Sequence, residues 1–184
     1  MGTLKIGSAK EQKGVTIEPA CILFNGKNVG KIMSGTSKIW SAITYLYRLG
    51  NECTELTNGW TSSGYVSKVD GYGIASATKN ANDMLIAGSS STINVLGTMN
   101  TIDLTEYSKI YISVTSCNVH SNYAPLFDIK ADKNILDIHK AFMKLNTTGI
   151  IEGDISDYNG LYYLMAYTYG TTSRNATINK IWLE

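Results

Sequence analysis

Leu161-Tyr162-Tyr163-Leu164-Met165-Ala166-Tyr167-Thr168-Tyr169 decides the fold class. Aromatic and β-favouring side chains run through it without a charge, the composition of a strand buried on at least one face and lying at the centre of a sheet. Gly170-Thr171-Thr172-Ser173-Arg174-Asn175 follows with turn chemistry. Ala176-Thr177-Ile178-Asn179-Lys180-Ile181-Trp182-Leu183 then returns as a second strand with polar residues spaced through it. Ile178 and Ile181 fall on opposite phases of a strict alternation, so a β-bulge is expected near Asn179. A hydrophobic closing strand must pair with strands already formed, which implies a sandwich completed by this end of the chain.

Upstream, the chain keeps an all-β rhythm, with short strands roughly every eight to twelve residues and turn residues between them. Strands are expected over 65–69, 73–78, 84–87, 93–96, 110–114 and 126–130, with reversals at Asp70-Gly71 and at Ser156-Asp157-Tyr158-Asn159-Gly160. Ile110, Ile112 and Val114 alternate onto one face. Two stretches read both ways. Residues 42–50 place Ile43 and Leu46 at helical spacing, yet Thr44-Tyr45-Leu46-Tyr47 suits a strand, and linker-then-strand is preferred because Leu49-Gly50-Asn51 marks a turn. Residues 135–145 alternate at Leu136, Ile138, Lys140 and Phe142 while Ile135, Ile138, Phe142 and Leu145 lie nearer a helical period; a strand is expected.

The first forty residues differ. Ile22-Leu23-Phe24 and Lys27-Asn28-Val29 flank Asn25-Gly26, the strongest short hairpin signal because both residues tolerate positive φ. A second turn at Ser34-Gly35-Thr36 gives a three-stranded meander ending on Trp40, too small to be stable unless it docks on a neighbour or another subunit. The boundary falls near residues 41–44, giving a β attachment module over 1–43 and a sandwich over 44–184. Asn-Gly-x-x-Val-x-Lys-Ile, a glycine turn and Ile-Trp over residues 20–41 resemble the opening of many bacteriophage tail, baseplate and other minor virion proteins. In those proteins a small β module attaches a distal domain to the particle.

The segments 46–60, Ile102-Asp103-Leu104-Thr105-Glu106-Tyr107-Ser108-Lys109-Ile110, 149–160 and Lys180-Ile181-Trp182-Leu183-Glu184 together resemble the jelly-roll sandwiches of carbohydrate-binding modules and galactose-binding-like domains. There an Ile-Asp-Leu-Thr-x-Tyr segment opens a central strand and a Lys-Ile-Trp-Leu-like strand closes the chain. The fold expected is thus all-β: an antiparallel jelly-roll β-sandwich preceded by a small N-terminal β-meander.

Composition narrows the function classes. Hydrophobic residues make up 43% of the 184 and charged residues 17%, below the roughly 25% of ordinary soluble domains. The 17 glycines and 12 tyrosines suit a turn-rich β protein with weakly charged surfaces. A net charge of +1 with scattered Lys and Arg argues against a nucleic-acid partner. No run approaches the ~18 apolar residues of a membrane-spanning helix, and no secretory signal is evident at the N-terminus, so no membrane insertion and synthesis in a cytoplasm are expected. Cys21, Cys53 and Cys117 lack metal or disulfide spacing and read as buried free thiols.

Catalytic chemistry is sparse. His120 and His139 are the only histidines, there is no G-x-S-x-G and no phosphate-cradling glycine loop. Asp103, Glu106, Asp128, Asp137, Glu152, Asp154 and Asp157 could supply a hydrolytic carboxylate pair, but carboxylates at turns usually cap or face solvent. No enzyme is expected. Asp154, Asp157 and Asn159 offer oxygen ligands at a sharp turn, the environment a structural calcium accepts, against an Asx-stabilised turn. No other cofactor is indicated. Sugar binding needs aromatic rings near loops with polar groups beside them, for which Trp60, Tyr72, Tyr123, Tyr169 and Arg174 are chosen, with Tyr65 and Tyr158 as further rings. The first resemblance implies a virion structural protein, assembled in a bacterial host cytoplasm, whose partners are other virion proteins and further copies of itself; the second implies a sandwich and, less firmly, a sugar ligand, here a host cell-surface glycan. A purely structural capsid-decoration or head-fibre role without a glycan is the alternative.

Overall fold

The structure, a computed structural model, describes residues 4–6, 22–24, 27–29, 31–34, 37–41, 43–48, 51–52, 59–79, 83–119, 124–170 and 174–184. The chain divides into two compact units, Met1–Thr44 with Glu184, and Tyr45–Leu183. In the first, β1 (Leu4–Ile6), β2 (Ile22–Phe24) and β3 (Lys27–Val29) form an antiparallel sheet, and β4 (Lys31–Ser34) pairs with β5 (Ser37–Ser41) in another. Phe24 and Lys27 are Cα partners in the antiparallel β2–β3 pairing, and the Asn25-Gly26 expected as its turn lies outside the described residues. These antiparallel pairings of consecutive short strands are those of the expected small N-terminal β-meander.

The second unit runs through β6 (Thr44–Arg48), β7 (Asn51–Glu52), β8 (Trp60–Thr61), β9 (Val66–Ser67), β10 (Gly73–Ser76), β11 (Thr78–Lys79) and β12 (Met84–Ala87). It continues with β13 (Thr92–Thr98), β14 (Ile102–Asp103), β15 (Lys109–Asn118), β16 (Leu126–Lys130), β17 (Asn134–Ile135) and β18 (Met143–Lys144). It ends with β19 (Gly149–Asp154), β20 (Leu161–Thr168) and β21 (Asn175–Leu183). No helix occurs among the described residues.

Two largely antiparallel sheets result. One has the order β11-β12-β21-β15-β19, with β6 beside β21 and β7 beside β6; the other has β10-β13-β20-β16-β18, with β14 on β20 and β8 on β13. The last two strands do not pair with each other: each sits mid-sheet in a different layer. The chain crosses between layers at Ala77, between β10 and β11, and the β10–β13 pairing is parallel.

Alternation explains the layers. Ile110, Ile112 and Val114 of β15 and Ala176, Ile178, Ile181 and Leu183 of β21 meet Phe127, Ile129, Leu164 and Ala166 of the opposite sheet in the main core. Ile178 and Ile181 are both fully buried because Ser113 pairs with Lys180 while Val114 pairs with Ile178, leaving Asn179 as the extra residue of a bulge. A second shift, between Val114 and Ser116, leaves Thr115 extra on β15.

The run from Leu164 to Tyr169 is buried throughout instead of alternating, because its outer face is covered too. There Met165, Tyr167 and Tyr169 join Tyr65, Ile93, Val95, Leu126, Ile135 and Ile138 in a second cluster. Its cover includes the segment read as a strand over 135–145. That expectation is corrected: only Asn134–Ile135 and Met143–Lys144 are extended, and an Asx turn at Asp137 breaks the run between them. Burying Ile135, Ile138 and Leu145 satisfies the hydrophobic pattern without a strand.

Candidate binding site

Three of the five residues chosen for ligand contact meet at one end of β20. Tyr169 follows the strand directly, and Gly170 at φ +85° turns the chain. That φ is what makes glycine necessary here, and a Cβ would also lie 2.5 Å from Arg174 Nη1 and displace the guanidinium. The Arg174 guanidinium consequently packs over the Tyr169 ring, 5.2 Å from its centroid, with Nη1 donating to Tyr169 O at 3.4 Å. Arg174 O accepts from Gly88 N at 2.8 Å, which fixes the backbone entering β21.

Tyr72 arrives from another side of the same ring. The Asp70-Gly71 reversal, with Gly71 at φ +82° and Tyr72 N donating to Val69 O at 3.2 Å, delivers its ring edge-on to Tyr169 at 6.0 Å and 89°. His139 comes from the Asx turn in which its N–H donates to Asp137 Oδ1 at 2.7 Å. The imidazole stands perpendicular to Tyr169 at 5.6 Å, and its Nδ1 shares a 2.9 Å hydrogen bond with the Tyr169 hydroxyl. Beneath it, Tyr167 Oη donates to Asp137 O at 3.3 Å. Burial raises the Tyr167 phenol well above its usual range, with Asp128 and Asp137 adding to the effect, so it stays a donor.

Roles divide by exposure. Tyr169 is only 5% exposed and acts as the hub, while Tyr72 is half-buried and His139 exposed. The accessible surface therefore combines an aromatic ring, an imidazole and a guanidinium held over a buried tyrosine. Such a surface can stack on an apolar ligand face and donate hydrogen bonds around it.

The remaining candidates lie elsewhere. Trp60 is interior: its ring meets Tyr47 edge-on at 6.3 Å and its Nε1 donates to Leu46 O at 3.1 Å, so it cannot present a face to a ligand. A tryptophan beside a turn reads like an exposed platform in sequence, but this one serves the main core. Tyr123 lies outside the described residues. Tyr65 is buried, its hydroxyl donating to Thr98 O at 2.9 Å. Tyr158 sits between Phe142 and Tyr162 in an edge-to-face series.

At the suggested metal turn, Asp154 Oδ1 accepts from Ser156 N at 3.0 Å and from Ser156 Oγ at 2.6 Å. This is the Asx-stabilised turn. Asp157 and Asn159 are exposed beyond it, and no cluster of three or more His, Cys, Asp or Glu side chains suited to a metal occurs among the described residues.

Asp103, Asp132 and Asp137 repeat this pattern, each accepting from the N–H two residues on. Hydroxyl and then N–H donation from Thr105 to Asp103 and from Ser156 to Asp154, and N–H donation from Asn134 to Asp132 and from His139 to Asp137, hold all four carboxyls below the usual range. Asp128 is the exception: burial raises it against the opposing pull of Lys130, whose Nζ lies 3.2 Å from Oδ2.

Two features escaped the sequence reading. His139 enters the sequence reading only as one of two histidines without catalytic company, although Asp137 two residues earlier signals the turn that presents it. On the outer face of the other sheet, Tyr111 and Trp182 stack at 5.1 Å and 13°, with Tyr45 at 6.3 Å from Trp182. The signal for this row was the alternation itself, which puts Tyr111 opposite the buried Ile110 and Ile112. Cys117 is a free, half-buried thiol against the main core, and Cys21 and Cys53 lie outside the described residues. No protein-family model matches the chain, and no curated protein is significantly similar to it.

Proposed function

We propose that this chain is a non-enzymatic bacteriophage virion component, a tail, baseplate or fibre protein, whose jelly-roll-like sandwich faces outward and binds a host-surface glycan. The virion assignment rests on the resemblance carried by residues 20–41. The glycan assignment is carried by one observation, the convergence of Tyr72, His139 and Arg174 on the buried ring of Tyr169. A pyranose offers an apolar C–H face that stacks on an aromatic ring and a rim of hydroxyls that hydrogen-bond to planar donors. A non-catalytic role is supported by the carboxylates: Asp103, Asp137 and Asp154 hold turns, and Asp128 is clamped by the N–H groups of Ile129 and Phe142.

The test is a screen of the full chain against arrayed bacterial wall polysaccharides, followed by calorimetry on any hit. Tyr72→Ala is expected to weaken binding about tenfold or more, as loss of ~1.4 kcal/mol would, while far-UV circular dichroism stays unchanged. Absence of binding to every wall polysaccharide would end the glycan reading and leave the purely structural capsid-decoration or head-fibre role.

A further inference from the structure

An asparagine followed by glycine is poorly protected from its own backbone, because glycine has no Cβ to keep its amide nitrogen away from the preceding carboxamide. Of the asparagines among the described residues, Asn159 is the one that glycine follows. It lies in the connection between β19 and β20, outside any strand, with its side chain exposed and Gly160 at φ +121°. A Cβ added at Gly160 would meet nothing within 4 Å, so there is room around the pair for water.

Neither reacting group is engaged. Among the described residues no hydrogen bond holds the Asn159 carboxamide, and the Gly160 N–H donates to none. The turn is fixed on either side of them instead, by Tyr158 N donating to Ile155 O at 2.9 Å and Leu104 N donating to Gly160 O at 2.9 Å. Asn100 and Asn146 are internal comparisons: both are exposed and outside strands, but each is followed by threonine, whose branched Cβ crowds the amide nitrogen. Asn94, by contrast, lies within β13 and its carboxamide donates to Ala87 O.

We propose that Asn159 is a site of spontaneous deamidation through a cyclic imide, with water as the only co-reactant. The Gly160 nitrogen gives its proton to solvent base and attacks Asn159 Cγ. A bond forms between that nitrogen and Cγ while the Cγ–Nδ2 bond breaks, and ammonia leaves, taking a proton back. Water then opens the imide at one of its two carbonyls. One opening leaves an aspartyl residue; the other leaves an isoaspartyl linkage in which the main chain runs through Cβ and Cγ. One amide and one water are consumed, and one carboxylate and one ammonium are formed. The added carboxylate brings the formal net charge of the chain from +1 to zero. The isoaspartyl form also inserts a main-chain atom between Tyr158, whose ring meets Phe142 and Tyr162, and the carbonyl that Leu104 N holds. The inference is independent of the glycan and virion readings.

Ageing the full chain at mildly alkaline pH, followed by tryptic digestion and tandem mass spectrometry, tests this. Positions 146 and 159 share the tryptic peptide 145–174, and fragmentation separates them. Conversion at 159 should run more than about tenfold faster than at 100 or 146, a barrier lower by at least ~1.4 kcal/mol. Two products should appear, one coeluting with the matching peptide of Asn159→Asp and the other, the isoaspartyl form, eluting apart from it. Asn159→Gln, whose longer side chain disfavours ring closure, should abolish conversion at this position and leave circular dichroism unchanged. A rate at 159 no faster than at 100 or 146 would overturn the proposal. So would an aspartyl product unaccompanied by the isoaspartyl one, which is the mark of direct hydrolysis, or a folded chain that stays intact at 159 while the urea-unfolded chain converts.

Discussion

Gly97→Ala should destabilise the sandwich by about 3 kcal/mol, and the sign is the informative part. Glycine within a strand ordinarily weakens it, so alanine there would on local grounds stabilise by ~0.5–1 kcal/mol. Gly97 lies within β13, paired with Met165 and Thr61, and the Tyr65 ring lies directly over it. A Cβ would fall 2.1 Å from Tyr65 Oη and 2.3 Å from Cζ, so the ring must leave or the strand must bend. Overpacking of this kind costs ~1–3 kcal/mol. Displacing the ring also forfeits the buried hydrogen bond from Tyr65 Oη to Thr98 O, about 1–1.5 kcal/mol, and its contact with Lys133, ~0.5–1 kcal/mol. The clash therefore outweighs the propensity gain severalfold. Urea denaturation followed by circular dichroism and tryptophan fluorescence measures the loss, and a double-mutant cycle assigns it. Tyr65→Ala costs ~3–5 kcal/mol by itself, but in that background Gly97→Ala should no longer destabilise and should show the local gain of ~0.5–1 kcal/mol. Equal cost in both backgrounds, or a neutral Gly97→Ala, would refute the reasoning.

Trp60→Phe should cost about 2 kcal/mol in the same assay, by removing the donor to Leu46 O and leaving a small void, and should leave any glycan binding unaltered. Lys133→Met removes an ammonium placed 5.1 Å and 5.0 Å from the Tyr65 and Tyr163 ring centroids and 3.3 Å from Ser63 O. A loss of about 1–2 kcal/mol in urea is expected. Burial holds the Asp128 carboxyl above its usual range, so the folded protein keeps this proton to higher pH than the unfolded chain does. Its contribution to stability is full below the ordinary carboxylate value of ~3.9 and is lost as pH rises through the higher folded value. Asp128→Asn, compared with wild type by thermal melts across that window, should gain relative stability as pH rises; a constant difference would contradict the assignment. The turn aspartates act with opposite sign, contributing stability above ~3.9 that is lost as pH falls through their depressed folded values.

Strand existence was legible wherever alternation or a continuous apolar run was strong. Met84–Ala87 and Leu126–Lys130 match their expected bounds, and the bulge at Asn179 followed from two isoleucines out of phase. Layer membership was not legible. Residues 73–78 look like one strand, yet the chain pairs with β13 up to Ser76 and with β12 from Thr78. Nothing local marks a change of sheet at Ala77, because an extended residue satisfies its neighbours equally well in either layer. Residues 135–145 failed for a related reason: apolar side chains spaced to cover an existing cluster need no particular backbone, and the Asp137 turn decided it.

The candidate site shows the same division between local and nonlocal information. Tyr169 and Arg174 are five residues apart around one glycine turn, so their proximity was readable. Tyr72 and His139 reach the same ring from β-turns far away in sequence, and only the stacking of two covering segments on the outer face of β20 brings them there. Trp60 went the other way: its loop-like neighbours suggested exposure, but the carbonyl of Leu46 needs the indole N–H inside the core. Exposure of an aromatic is set by which sheet face its neighbours occupy, and that is a property of strand order. Glycan readings drawn from aromatic content alone therefore choose poorly between Tyr72, which retains an accessible ring, and Trp60, whose ring is enclosed. A binding screen with those two positions varied separately distinguishes a site built by the fold from one inferred from composition.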